Sequence, residues 1–180
     1  IFETDDLVID ALSSTDGAAV NVLAGGQLTI NGAVGATGSS VVNLTTTSGG
    51  INLNQAITSV DGNVTLDASG DLVLGAAGDI VTTQGDLSLT SGGAMTMTGE
   101  TEINAGSGDI ALDAGGQITL GKLRTTTSND LTITSGAIID AAEGSVDIIA
   151  QSAELAVTAV GGIGSVDNPI EIDVASLNIS

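Results

Sequence analysis

The sequence has no Cys, His, Trp or Tyr, and its 180 residues include a single Phe and a single Pro. A globular core normally takes much of its bulk from aromatic side chains. Hydrophobic residues still make up 42% of the chain, and nearly all of them are Ala, Val, Ile and Leu. The core must therefore be narrow and aliphatic. The lack of Cys excludes a disulfide framework but indicates no compartment, because a repeat array is stabilised by stacking.

Basic residues are also scarce. The chain has two Lys and Arg residues in total and 22 Asp and Glu residues, which gives a net charge of −20. Nucleic acids and anionic membranes bind basic patches, so we expect neither as a partner. An acidic surface fits a self-repelling protein or one that meets divalent cations. No apolar run approaches the roughly 20 residues that span a bilayer, so we expect no membrane insertion. The opening IFETDDLVID lacks the basic and apolar regions of a signal peptide.

What the sequence does contain is a repeat of about 22 residues, in which three short apolar segments recur in the same order. First segments begin at Val20, Val42, Val64, Leu87, Ile110, Leu131, Leu155 and Leu177. Second segments begin at Leu28, Ile51, Leu72, Met95, Ile118, Ile139 and Ile163. Third segments begin at Val34, Ile57, Ile80, Ile103, Leu123, Ile148 and Ile170.

Within each segment apolar and polar residues alternate, which is the period of a half-buried strand. The pattern predicts an all-β parallel β-helix, or β-solenoid, with three short strands per coil, about 22 residues per coil and roughly seven coils. An amphipathic helix is disfavoured by the frequent Gly and β-branched residues. A two-sheet sandwich is the stronger rival, but the constant coil length favours parallel stacking.

The whole chain, residues 1–180, reads as a single β-solenoid segment. Leu7 and Ile9 fit the second strand of a coil, and Leu177 opens another coil at the other end. Neither end shows an amphipathic capping helix, although a bare terminal coil exposes apolar core and unpaired strand edges. We therefore expect an excerpt of a longer rod, or a fibre subunit that stacks end to end on itself.

The run GGIGSVDNPIEIDVASLNIS at residues 161–180, after lines such as GDIALDAGGQITL, resembles the repeat region of filamentous-haemagglutinin-type exoproteins and related giant bacterial surface adhesins. The resemblance covers essentially the whole chain as a repeat style. It implies a right-handed solenoid, an extracellular or cell-surface location, and a role as adhesin shaft or extracellular fibre. The secretion domain that begins those proteins is not matched here.

Asp86, Asp109 and Asp130 precede successive first strands and should stack at one corner, with Asn63 beneath them. Such side chains ordinarily accept backbone hydrogen bonds in turns. The alternative is calcium, because carboxylates about 5 Å apart repel by roughly 0.8 kcal/mol even in water and oxygen ligands suit that ion. Calcium is the only cofactor that we consider, and these three residues are its candidate ligands. The glycine-rich stretch at residues 161–167 is interpreted as a corner.

Enzymes of this fold class act on polysaccharides, but a lyase needs a base and cationic groups, and only Lys122 and Arg124 are available. A glycosidase usually adds an aromatic sugar platform, which is missing. We therefore predict no catalytic residues and a non-enzymatic, structural protein. A glycan- or receptor-binding adhesin module is the alternative, and such a partner would bind through parts of the protein outside this sequence.

Overall fold

Successive repeats stack as parallel strands in the computed structural model, which describes residues 1–15, 17–128, 130–142 and 145–180. The described residues form strands and turns and no helix, so none of them belongs to a helix able to span a membrane. The strands wind into a β-solenoid of about eight turns, with three strands per coil and equivalent positions roughly 23 residues apart. The predicted all-β parallel solenoid is confirmed.

The three faces of the solenoid are formed by the first, second and third strands of each coil. The first face contains β1 (Phe2–Glu3), β4 (Val20–Ala24), β7 (Val42–Thr46), β10 (Val64–Ala68), β13 (Leu87–Ser91), β16 (Ile110–Ala114) and β19 (Leu131–Ser135). The second contains β2 (Leu7–Ile9), β5 (Leu28–Ile30), β8 (Ile51–Leu53), β11 (Leu72–Leu74), β14 (Met95–Met97), β17 (Gln117–Leu120) and β20 (Ala137–Asp140). The third contains β3 (Leu12–Ser14), β6 (Val34–Ala36), β9 (Ile57–Ser59), β12 (Ile80–Thr82), β15 (Glu102–Asn104) and β18 (Lys122–Arg124).

Two longer strands complete the fold. The strand β21 (Ile148–Ala159) pairs with β18 through its first residues and with β19 through its last ones, so it joins the third face to the first. The strand β22 (Ile172–Ile179) stacks on β21 with a register shift between Ala150 and Glu154. As a result the first and third faces form one 15-stranded sheet, and the second face is a separate seven-stranded sheet.

The pairing register confirms every predicted start of a first strand, from the pair Val20 and Val42 to the pair Leu155 and Leu177. Two other predicted starts are wrong. Ile118 pairs with Ile138 rather than with Ile139, and Ile148 pairs with Ile172 rather than with Ile170. Both corrections concern the last coils, where acidic residues enter the pattern.

Alternation explains the core. In β10 the side chains of Val64 and Leu66 are fully buried and that of Thr65 is half-buried. Leu66 lies in register between Leu44 and Leu89, both also fully buried. Aliphatic side chains thus form continuous stacks along the axis, which supplies the burial that a chain almost without aromatics needs.

The corners are closed by inward-facing hydroxyl groups and by glycines. Thr82 Oγ1 donates to the Gly85 carbonyl at 2.6 Å, and Ser91 Oγ donates to the Gly93 carbonyl at 3.2 Å. The corner glycines Gly92, Gly93, Gly115 and Gly116 do not have positive φ, unlike Gly106, Gly162 and Gly164. A Cβ at Gly116 would instead lie 3.1 Å from the Gly93 carbonyl oxygen of the preceding coil. These glycines therefore allow close stacking of coils rather than a left-handed turn.

Candidate functional site

The predicted acidic ladder exists at the corner that precedes the first strands. The backbone N–H of Asp109 donates to Asp86 Oδ1 at 3.0 Å, and that of Asp130 donates to Asp109 Oδ1 at 2.9 Å. Below them the N–H of Asp86 donates to Asn63 Oδ1 at 2.9 Å, and Asn63 Nδ2 donates to Asp86 Oδ2 at 3.4 Å. All four residues are exposed. The predicted stack is therefore present, and the side chains of Asn63, Asp86 and Asp109 each bind the backbone of the next coil rather than their own turn.

The same contact recurs elsewhere in the solenoid. Asp71 Oδ1 accepts the N–H of Ala94 at 2.8 Å, and Asp79 Oδ1 accepts the N–H of Glu102 at 2.9 Å. In each case one carboxylate oxygen bridges to the coil stacked above it, where a corner would otherwise leave an N–H unpaired. A carboxylate between coils is thus a structural device of this fold. In the ladder, hydrogen bonds account for both oxygens of Asp86 and for one oxygen of Asp109 without any ion. Calcium at Asp86, Asp109 and Asp130 stays a prediction.

A second group of acids, which the sequence did not indicate, is buried at the corner between the second and third faces. It begins with Asp140, the last residue of β20, which pairs in register with Leu120 and is 6% exposed. The corresponding position in earlier coils is aliphatic, as in the pair Leu53 and Leu74. A carboxylate therefore occupies a position in an aliphatic stack of the core.

Asp147 and Glu171 lie beside it, immediately before β21 and β22. Asp147 is 2% exposed and Glu171 is half-buried. The N–H of Glu171 donates to Asp147 Oδ2 at 2.9 Å, and the N–H of Asp147 donates to the Glu171 carbonyl at 2.9 Å. One carboxylate oxygen each from Asp140, Asp147 and Glu171 lie within 4.8 Å of one another. Two neighbouring coils therefore bring three carboxylates to one buried point.

Several oxygens of this group have no hydrogen-bond donor among the residues that the structure describes. Asp140 Oδ1 accepts the N–H of Ala142 at 2.8 Å, but Asp140 Oδ2 is buried without a partner, as is Glu171 Oε2. The side chain of Asn168 donates through Nδ2 to the Asp140 carbonyl at 3.3 Å, and its Oδ1 is also buried and unpartnered. Buried polar atoms are normally bonded, so three orphaned oxygen acceptors at one corner indicate a site that takes a ligand.

Electrostatics point the same way. Burial is the main reason why the pKa of Asp147 is raised to about 7, while the hydrogen bond from the Glu171 backbone acts to lower it. The negative charges of Asp140 and Glu171 raise the pKa further. A proton or a cation is what this cluster would take up.

The other features that the sequence singled out lie apart from this cluster. Lys122 and Arg124 are on β18, where Lys122 pairs in register with Glu102 and Arg124 with Asn104. The stretch at residues 161–167 forms turns and bends, with φ of 103° at Gly162 and 61° at Gly164, and is the corner that was predicted.

A cavity of about 290 Å³ lies inside the last coils. Its lining is almost wholly aliphatic, with Ile138, Ile163 and Ile170 among the side chains that face it. On the second face only Ile163 continues the stack, through a single bridge to Ile138. The cavity is thus the core where the second-face ladder thins out, and its lining offers few groups that could orient a polar ligand.

Comparison with known proteins supports only the conclusion that the chain is a repeat protein. A family model described as "Repeats of unknown function" (DUF5649) matches residues 61–119, about a third of the chain. The matched part includes Asp86 and Asp109 but neither Asp140 nor Asp147. No curated protein and no solved structure matches the chain.

Proposed function

We propose that this chain is a structural, extracellular β-solenoid that forms part of the shaft of a bacterial surface adhesin or of a self-assembling extracellular fibre. The observation that carries the proposal is the unbroken stacking of coils. First strands pair without interruption from β1 to β21, and second strands pair from β2 to β20. A ladder of this kind makes a stiff rod, because bending the rod would stretch backbone hydrogen bonds on at least one face.

The surface of the rod supports the same role. A net charge of −20 makes rods repel one another sideways, which opposes aggregation along their flanks. The ends are different. Ile1 and Phe2 are 60% and 70% exposed, and Leu177 and Ile179 are 46% and 58% exposed. Each end therefore presents apolar side chains beside a parallel strand edge, on which a further coil of the same chain or of a second copy can stack.

The role that we propose is mechanical rather than catalytic. The chain has no His, Cys or Tyr for proton transfer or nucleophilic chemistry and no Trp or Tyr on which a sugar ring could stack. The proposed work of the molecule is to provide length, stiffness and resistance to proteolysis.

Immunogold labelling of intact cells that produce the protein tests the extracellular location. We expect gold particles along the outside of unpermeabilised cells. Labelling that is seen only after permeabilisation would overturn an extracellular role for either the shaft or the fibre.

Electron microscopy of the purified chain tests self-assembly. Wild-type protein should form unbranched fibres at high concentration if copies stack end to end. The double variant Leu177→Lys/Ile179→Lys should give single rods, because two charges would then lie on the stacking face. The matched variant Asn178→Lys changes the intervening residue of the same strand and should still form fibres. Single rods of wild-type protein at every concentration would refute the fibre and leave the shaft.

A further inference from the structure

We propose that Asp140, Asp147 and Glu171, together with the side-chain oxygen of Asn168, bind one calcium ion at the buried corner between the second and third faces of the last coils. This site is separate from the exposed ladder of Asp86, Asp109 and Asp130. The inference does not depend on the proposed function, because a calcium-binding solenoid need be neither extracellular nor a fibre.

The first argument is the arrangement of the ligand atoms. Oxygens of three carboxylates lie within 4.8 Å of one another. An ion with metal–oxygen distances of about 2.3–2.6 Å, as calcium has, can contact oxygens up to roughly 5 Å apart. Magnesium requires about 2.0–2.1 Å and near-ideal octahedral geometry and usually keeps several waters, which a buried corner does not favour. The expected ion is therefore calcium.

The second argument comes from the oxygens that the fold leaves without donors. In the ladder of Asp86 and Asp109, the carboxylates are exposed and water can reach them. At the buried corner Asp140 is only 6% exposed, and its Oδ2 is unpartnered. The oxygens Glu171 Oε2 and Asn168 Oδ1 are unpartnered as well. A cation satisfies several such acceptors at once, which no single N–H donor does.

The third argument is the position of Asp140 in the core. Its register partner Leu120 is fully buried, and an apolar residue there would continue the stack at no electrostatic cost. A buried carboxylate that has two acidic neighbours and no opposite charge is unfavourable. Local violations of folding rules of this kind are characteristic of functional sites. An ion turns the same arrangement into a bridge between the end of β20 and the beginnings of β21 and β22.

Calorimetric titration of the full, metal-free chain with CaCl₂ tests the site. We expect one ion per chain with a dissociation constant of about 0.1–1 mM, at the weak end of the range of protein calcium sites. Magnesium should bind at least tenfold more weakly.

Three double variants, each lacking two negative charges, locate the ion. Asp140→Asn/Glu171→Gln should lose at least tenfold in affinity. Asp86→Asn/Asp109→Asn changes the exposed ladder, and Asp67→Asn/Asp113→Asn changes two exposed acids on the first face. Both of these should bind within about twofold of wild type.

Each other result would overturn the proposal. If no binding is seen at calcium concentrations about tenfold above the expected dissociation constants, a shared proton would be the remaining explanation of the cluster. Loss of binding in the ladder variant alone would place calcium on Asp86 and Asp109. An equal loss in all three variants would indicate diffuse attraction to the acidic surface.

Thermal melting by circular dichroism separates binding from folding. In EDTA, Asp140→Asn/Glu171→Gln should melt at or above the wild-type temperature, because two like charges are gone. Calcium should raise the melting temperature of wild type and leave that of the variant unchanged. If the double variant does not fold, the single change Glu171→Gln at the half-buried member decides, and unaltered calcium affinity there would refute the site.

Discussion

The spacing of the coils leads to a sharp prediction at Gly121, which is buried between β17 and β18. A Cβ built on this residue would lie 2.6 Å from the Thr98 carbonyl oxygen and 2.7 Å from the Thr101 carbonyl oxygen, both of the preceding coil. Real Cβ atoms essentially never approach closer than 3.0 Å. Gly121→Ala therefore forces two backbone carbonyls away, and the Thr101 carbonyl is the acceptor of the Lys122 N–H at 2.9 Å.

Two opposing effects set the magnitude. Overpacking of a close-packed interior costs about 1–3 kcal/mol, and weakening one backbone hydrogen bond adds roughly 1 kcal/mol. Replacing Gly by Ala also restricts the unfolded chain, which stabilises the native state by about 0.4–1 kcal/mol. We expect Gly121→Ala to reduce the free energy of unfolding by about 1–3.5 kcal/mol.

Two other glycines provide matched controls. Gly35 has no heavy atom within 4 Å of its Cβ position and no positive φ, so Gly35→Ala should stabilise the protein by about 0.4–1 kcal/mol. Gly162 has the same free space but a φ of 103°, so Gly162→Ala adds backbone strain of about 1–3 kcal/mol to the same effect on the unfolded chain. Urea denaturation followed by circular dichroism, in EDTA, gives all three values. If Gly121→Ala were as stable as Gly35→Ala, the close approach of coils at this corner would be refuted.

Three further predictions follow from the core, the ladder and the buried acids. Leu66→Ala removes a fully buried side chain and should lower the free energy of unfolding by about 3–5 kcal/mol. Thr65→Ala on the same strand should lower it by less than about 0.5 kcal/mol. Similar values for the two variants in urea denaturation would contradict the register. Asp86→Ala should be about 1 kcal/mol less stable than Asp86→Asn, because only the second keeps an acceptor for the Asp109 N–H; equal melting temperatures would show that the ladder bond contributes nothing. In metal-free protein, Asp147 has a pKa of about 7 against the ordinary 3.8, so the folded state binds more protons and its stability should fall as pH rises from about 4 to 7. Asp147→Asn should flatten this slope in pH-dependent melting, and an unchanged slope would refute the assignment.

The sequence predicts the first strands best because their positions combine two independent signals. Val64 and Leu66 alternate with polar residues, and the same pattern returns 23 residues later at Leu87 and Leu89. Alternation fixes which side chains face inward, and the constant interval fixes which strands stack. Both signals persist from Val20 to Leu177, and the register agrees at every step.

The second strand of the penultimate coil shows where such reasoning fails. The run of Ile138 and Ile139 allows two phases, and the usual eight-residue step from the first strand favours the wrong one. In the structure Ile138 is buried and Ile139 is 39% exposed, so this second strand starts seven residues after Leu131 instead of the eight that separate Ile110 from Ile118. The regular interval therefore could not have placed Asp140 in the aliphatic stack, and only the observed register marks it as a candidate site residue.

Asp147 and Glu171 could not be recognised in the same way, because an acid before a third strand is ordinary in this chain. Asp79 occupies the equivalent place and also binds the N–H of the coil above. What distinguishes the later pair is the neighbour across the corner, Asp140, and only the folded register brings it there. At this corner the carboxylate that binds the next coil is therefore part of a cluster in which two carboxylate oxygens have no hydrogen-bond donor among the described residues. The whole chain has only two basic residues, so a proton or a metal ion is the available counter-charge for this cluster. The stability of the last coils should therefore rise when the pH is lowered or when calcium is added.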